Sequence, residues 1–327
     1  MKALPVTGQQ HPASSISSLQ EPTRQLANHP GAASERAKMS PTKSILVTGC
    51  SADGIGAAMA LVLARRGHYV FATARNPAKI PEVLGSLANV TVMPLDVADT
   101  ASVAAAARTV ANTGRGLDVL VNNAGIEYVQ PVLDVDIAVA QRMLDINLWG
   151  PLRTIQAFAD LLIASRGRIV NVSSSASVIN SPWVSTYAAS KAGLNALSET
   201  LRLELAPFGV SVVTILPGVI DGKLHVNNGA SFDLPPTSRY AAIKDIIAGW
   251  ATGEAQPKDN LSVDKFAELV VGDVISTDKG GLVSRGPYAS MIRLIGQWAP
   301  TWIADYILSQ NQGIKELTQK LAKDKST

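Results

Sequence analysis

Ser44-Ile45-Leu46-Val47-Thr48-Gly49-Cys50-Ser51-Ala52-Asp53-Gly54-Ile55-Gly56 joins a short apolar run to a turn bearing three glycines. The run is uncharged and partly β-branched, as a parallel strand covered on both faces must be. Residues 57–66 follow, rich in Ala and Leu, and stop at Gly67, the pattern of a helix closed by glycine. A strand that turns through glycines into a helix aims free backbone N–H groups and a positive dipole end at an anion such as a pyrophosphate. Gly49, Ser51, Gly54, Ile55 and Gly56 are therefore the expected phosphate-binding residues.

Outward from this unit the same texture repeats. Strand-like runs at 69–73, 90–95, 117–121, 168–172 and 210–215 alternate with helical stretches near 100–112, 134–147, 151–164 and 187–206. Such alternation predicts right-handed crossovers, hence an α/β fold with a doubly wound parallel sheet, the Rossmann fold, in a single domain with a C-terminal helical extension. Residues 1–42, rich in Ser, Pro, Ala, Gln and Asn, read as a disordered extension, and whether Met39 within it serves as an alternative start stays open. The catalytic domain is expected over 43–280, with a Gly-, Asn- and Pro-containing lid at about 219–260 and a helix at 263–275. Residues 281–327 form an amphipathic helical tail in which 288–308 reads as one helix carrying Trp298, Trp302 and Tyr306.

Composition narrows the function. A net charge of +3 over 327 residues, with no basic stripe, argues against nucleic acid as a partner. Cys50 is the only cysteine, so no internal disulfide forms. His11, His29, His68 and His225 lack metal-ligand spacing, and no metal is expected. The chain has no signal-type apolar region and no run of about 18 apolar residues, so a cytoplasmic location is expected.

The end of the second strand reads Thr73-Ala74-Arg75-Asn76. A carboxylate there would bond the ribose 2′-hydroxyl of NAD; its absence, beside a guanidinium that can clasp a 2′-phosphate, predicts NADP(H). Tyr187-Ala188-Ala189-Ser190-Lys191 places a phenol and an ammonium on one helix face. A nearby ammonium favours the tyrosinate and tunes the phenol for proton exchange with a carbonyl oxygen. Ser174 ends a strand, where ligands of doubly wound sheets bind, and its hydroxyl can bond the same oxygen.

At this point the chain resembles the short-chain dehydrogenase/reductase family. The glycine turn, Asn122-Asn123-Ala124-Gly125, Asn147, Ser174, Tyr187, Lys191 and Pro217-Gly218 match the family's motifs in order and spacing over about 44–222. The resemblance implies that Tyr187 is the acid/base, Lys191 tunes it and holds the nicotinamide ribose, and Ser174 orients the carbonyl. It further implies that Asn147 anchors a water in a proton relay, Asp96 bonds the adenine, Asn123 lines the cofactor cleft and Ile220 meets the nicotinamide carboxamide. Two departures stand out. Four residues, rather than three, separate the first two glycines, and Gly222 stands where the family often has Thr or Ser, leaving that donor role to Asp221 or Lys223.

The longer turn, with Ala72-Thr73-Ala74-Arg75-Asn76 and Ala299-Pro300-Thr301-Trp302, looks like a fungal branch of the family that reduces 1-acyldihydroxyacetone phosphate with NADPH and also holds reductases of other lipophilic or secondary metabolites. Two substrate readings follow: a lipophilic ketone such as that acyl phosphate, or a ketone or alcohol of a secondary-metabolite pathway. An inactive NADP-binding scaffold is disfavoured by the intact Asn147, Ser174, Tyr187 and Lys191. Family likeness implies a homodimer or homotetramer through the helices at about 134–164 and 187–206. For the tail, two readings stay open: a peripheral contact with endoplasmic reticulum or lipid droplets, or a cover over the substrate pocket or a subunit interface.

Overall fold

The computed structural model describes residues 42–222, 224 and 232–324. Residues 1–41 of the predicted extension, Lys223 and residues 225–231 of the predicted lid lie outside these. The main sheet comprises β1 (Ser44–Val47), β2 (Tyr69–Ala74), β3 (Val90–Pro94), β4 (Val119–Asn122), β5 (Arg168–Val172), β6 (Ser211–Pro217) and β9 (Gly280–Arg285), with a small separate ladder of β7 (Ile220–Asp221) and β8 (Leu261–Ser262). The seven strands run parallel in the order β3-β2-β1-β4-β5-β6-β9.

Every residue of β1 and β4 is buried, which is why both read as uninterrupted apolar runs. Neighbouring side chains leave opposite faces of the sheet. Val47 and Val121 join a core with Met59 and Leu63 of α1 (Ile55–Arg65) and with Phe266 and Val270 of α8 (Val263–Ile275). Leu46 and Leu120 join the other core, with Val103 and Val110 of α3 (Thr100–Asn112) and Phe158 and Leu162 of α5 (Gly150–Ser165). The remaining helices are α2 (Glu82–Gly85), α4 (Ile137–Leu144), α6 (Ser185–Leu205), α7 (Lys244–Thr252), α9 (Ala289–Trp298), α10 (Thr301–Leu308) and α11 (Ile314–Asp324). Predicted class and topology are thus found, helical extension included.

Two features differ from the sequence-based expectation. The sheet takes its last strand, β9, from residues beyond the sixth predicted strand, and β9 follows the boundary drawn at 280. Its loop is held by buried Arg168, whose guanidinium donates to the carbonyls of Asp273 and Asp278 and pairs with the Asp278 carboxylate at 3.0 Å. The tail is also not one helix over 288–308. Ala299 is extended between α9 and α10, because Pro300 disfavours helical geometry in the residue before it and cannot donate within a continuing helix.

Candidate active site

Strand order reverses direction between β1 and β4, where open α/β sheets bind ligands beyond their carboxyl ends. A cavity of about 770 Å³ lies there. At one end it is lined by the β1–α1 turn, where Gly49, Ser51, Gly54 and Ile55 face it. No side chain caps the N-terminus of α1 at Gly54, so the first amides of the helix remain available to an anion. Gly56 does not line the cavity; it shapes the turn. A Cβ at Gly56 would lie 2.4 Å from Asn123 Nδ2 and 2.5 Å from the Gly49 carbonyl. That amide in turn donates to the carbonyls of Thr48 and Gly49 at 2.9 and 3.2 Å, stitching β4 to the turn. Cys50 is fully buried beneath the turn, its Sγ donating to the Val47 carbonyl, and burial pushes its thiol up to about 12; it is a packing residue, not a nucleophile.

Arg75, Asn76 and Lys79 line the cavity beyond β2, and Asp96 lines it beyond β3. Asn76 and Lys79 were not anticipated, since polar residues in a surface turn give no distinguishing pattern. The Lys79 carbonyl accepts from Ala52 N at 2.8 Å, which brings this segment onto the glycine turn.

The other end of the cavity gathers Ser174, Tyr187 and Lys191. Ser174 caps a short 3-10 turn after β5, accepting from Ala176 N at 3.1 Å, and its hydroxyl also bonds the Tyr187 phenol. Tyr187 and Lys191 both sit on the buried face of α6. Burial pushes the Tyr187 phenol well above its ordinary value, the Glu127 charge adds to this, and the Ser174 bond opposes it. The sequence pattern alone suggested that Lys191 would pull the phenol down; in this cavity burial and the Glu127 charge set the direction instead. Burial likewise pulls the Lys191 ammonium down to about 8, with Glu127 acting against it. Lys191 Nζ donates to the Val172 carbonyl at 3.0 Å and stands 6.0 Å from the centre of the Tyr187 ring. Near neutral pH the phenol therefore carries a proton to give.

Asn147 sits on a π-helical turn, Asp145–Trp149, between α4 and α5, a device common at functional sites. It is fully buried and does not line the cavity. Its Oδ1 accepts from Ile126 N at 2.9 Å, while its Nδ2 donates to the Ile126 carbonyl and to Ser190 Oγ. It thereby fixes the strand-end segment that presents Glu127 to the cavity. Glu127 itself escaped the sequence reading, because a single acid after Ala124-Gly125 carries no spacing signal. Ile220 and Gly222 line the cavity too, whereas Lys223 lies outside the described residues. A wall of Trp183, Ile243 and Ile247 closes the region beyond, with Trp183 edge-on to Tyr240 at 5.3 Å and donating to the Gln312 carbonyl.

Comparison with known proteins gives this arrangement its class. The family model for short chain dehydrogenases matches residues 43–231. The chain is 42% identical over 273 residues to the short-chain dehydrogenase ptmH of Penicillium ochrochloron, covering 83% of this chain and 98% of the relative. It is 40% identical over 213 residues to the NADPH-dependent 1-acyldihydroxyacetone phosphate reductase of Schizosaccharomyces pombe, covering 64% and 71% respectively. Among solved structures it is similar to a short-chain dehydrogenase from Burkholderia cenocepacia in complex with NADP, at 26% identity with a TM-score of 0.64, covering 82% of this chain and 97% of that one. The chain belongs to the short-chain dehydrogenase/reductase family. It is an oxidoreductase of CH–OH and C=O groups that works with a nicotinamide cofactor.

Proposed function

We propose that this enzyme transfers hydride between NADP(H) and a carbonyl or secondary alcohol of a lipophilic substrate, with Tyr187 as acid/base. The observation that carries the reading is the joining of Ser174, Tyr187 and Lys191 to the uncapped α1 turn in one cavity. The residues fit the cofactor: α1 amides for the pyrophosphate, Arg75 for a 2′-phosphate, Asp96 for the adenine, Asn123 for the cleft wall, and Ile220 and Lys191 for the nicotinamide end. NADPH, when bound, supplies the hydride that reduces the carbonyl carbon. Ser174 orients the carbonyl oxygen, Tyr187 gives it the proton, and Lys191 supports the phenolate left behind. C=O becomes CH–OH. Following NADPH oxidation against a panel of ketones tests this; an enzyme that binds NADPH and reduces none of them would refute it.

Arg75→Ala is expected to lower kcat/KM with NADPH by at least about tenfold relative to NADH, because a charge-assisted guanidinium–phosphate bond contributes about 1.5–3 kcal/mol. Equal loss with both cofactors would place phosphate recognition elsewhere, Lys79 being next in line.

The substrate reading has two branches, a lipid ketone such as 1-acyldihydroxyacetone phosphate, for which the fission-yeast relative speaks, and a ketone or alcohol of a secondary metabolite. Both use the same residues. Quaternary structure is read as a homodimer or homotetramer, supported by exposed Val132, Leu133, Ile137 and Trp149 around α4 and Leu203 on α6. Sedimentation at micromolar concentration should give two or four chains, and a single-chain mass would refute it.

The tail is read as a peripheral lipid contact on a cytoplasmic enzyme. No helix among the described residues is long and apolar enough to cross a membrane. Trp298, Trp302 and Tyr306 are nevertheless 78%, 72% and 69% exposed, and such side chains suit the water–acyl boundary. Replacing Trp298 and Trp302 together with Ser should cut co-sedimentation with lipid vesicles at least about tenfold, given about 1.5–3 kcal/mol per inserted side chain, while NADPH binding is unaltered. Wild-type protein that never sediments with vesicles would leave the tail as a cover over the cavity, where Ile292 already lines the wall.

A further inference from the structure

The charged groups of the cavity are divided between its two ends. Among the described lining residues the cations are Arg75, Lys79 and Lys191, and the acids are Asp96 and Glu127. Arg75 and Lys79 follow β2, three strand positions from β5 and Ser174. At about 4.8 Å per strand that is roughly 14 Å away. The end where a carbonyl meets Tyr187 therefore holds one described cation, Lys191, and one described anion, Glu127. Lys191 is buried and turned to the Val172 carbonyl, whereas Glu127 is only partly buried and is the more accessible of the two charges. The other described walls at this end are largely apolar, including Val129, Ile179, Val184, Trp250 and Ile292.

We infer that this end selects carbonyl compounds that are uncharged near the reacting carbon, with Glu127 as the specificity-determining residue that rejects anionic ones. The inference rests on the carbonyl-reductase reading of the same cavity and names its substrate class. In a dihydroxyacetone phosphate the phosphorus is three single bonds from the carbonyl carbon, hence within about 4 Å of it. Such a phosphate cannot reach Arg75 or Lys79 while the carbonyl sits at Tyr187. It must lie beside Glu127 with no uncommitted described cation to receive it. A like charge at about 6 Å in an effective dielectric of about 20 weakens binding by at most about a hundredfold, of which the opposite charge of the more buried Lys191 returns part, before any loss of phosphate hydration. A neutral ketone meets no such opposition and gains from the apolar wall.

The test uses full-length enzyme with NADPH and two probes of equal acyl chain, 1-acyldihydroxyacetone phosphate and 1-acyldihydroxyacetone. The phosphate-free ketone should have at least a tenfold higher kcat/KM, and Glu127→Gln should narrow that ratio at least threefold. Affinities of the two alcohol products for the enzyme–NADP complex, measured by calorimetry, give the same ratio without turnover and hold for wild-type protein even if the variant fails to fold. Equal or better use of the phosphate ester overturns the inference, as does a ratio untouched in a Glu127→Gln enzyme that still binds NADPH. If neither ketone is reduced yet the alcohols bind with the predicted preference, the reductase reading falls and the charge selection stands. If both are reduced without preference, the selection falls and the reductase stands. If neither is reduced and neither alcohol binds, both fall.

Discussion

Tyr187→Phe is expected to lower kcat at least about a hundredfold while NADPH binds with nearly wild-type affinity. Loss of a positioned general acid usually removes 10²–10⁴ of rate, and the reason is visible in the cavity. The ring is buried on α6 and its shape is kept by Phe, so packing is unchanged. What disappears is a phenol that burial keeps protonated, hydrogen-bonded to Ser174. The other hydroxyls among the described lining residues at that end belong to serines, Ser174, Ser173 and Ser175 among them, alcohols far too weak as acids to substitute. Steady-state kinetics together with NADPH fluorescence titration check this. A variant retaining more than about a tenth of the wild-type kcat would remove Tyr187 from the proton-transfer step.

The second large effect concerns the turn. Gly56→Ala is expected to lower the melting temperature by about 5 °C or more and to weaken NADPH binding at least about tenfold. The new Cβ would fall on the Gly49 backbone carbonyl and on Asn123 Nδ2, a side-chain end held by two carbonyls. Overpacking of this kind costs about 1–3 kcal/mol, and displacing the Asn123 amide from its two carbonyls adds a similar amount. For a chain of this size about 1 kcal/mol moves the melting point by roughly 2–4 °C. Gly54→Ala is the control. Its Cβ would meet only the Ser51 carbonyl, at 3.1 Å, and its backbone is ordinary extended geometry. If the two variants melt alike, close approach at Gly56 is not what the turn requires.

The sheet was legible because its central strands are buried on both faces, so residues 44–47 and 119–121 could be little else than continuous apolar runs. The chemical residues were legible because a helix repeats every 3.6 residues and thus ties Tyr187 to Lys191, and because strand ends in this topology are where ligands sit. β9 was not legible. It opens with Gly280-Gly281, is only half-buried throughout and has one neighbour in the sheet, so neither burial nor β-propensity marks it. Pro300 was a local signal overridden by the apolar periodicity on either side, and the backbone rule proved stronger. Glu127 was invisible for another reason. Its importance comes from the segments that follow β4 and β5 converging with α6 on one cavity, and no linear spacing encodes that convergence. Asn147 was read from resemblance as the anchor of a water; its side-chain bonds to the Ile126 backbone and Ser190 hold the residue in place and do not bear on that role.

The late position of β9 in the chain carries a consequence for synthesis. A ribosome delivers residues in order, and β6 is complete at Pro217 whereas the strand that covers its free edge ends at Arg285. At about 5–20 residues per second the wait between residues 217 and 285 lasts about 3–14 s. For that interval a nascent chain that has assembled β1 to β6 shows an unpaired row of amides and carbonyls along Val212, Val213, Thr214 and Ile215, a template onto which any other emerging strand can add. Crowded polysomes make such additions bimolecular and concentration-driven, so yield during overproduction is set by how long this row stays bare: slower initiation or a holdase chaperone protects it, and a message truncated before codon 280 leaves it bare for good.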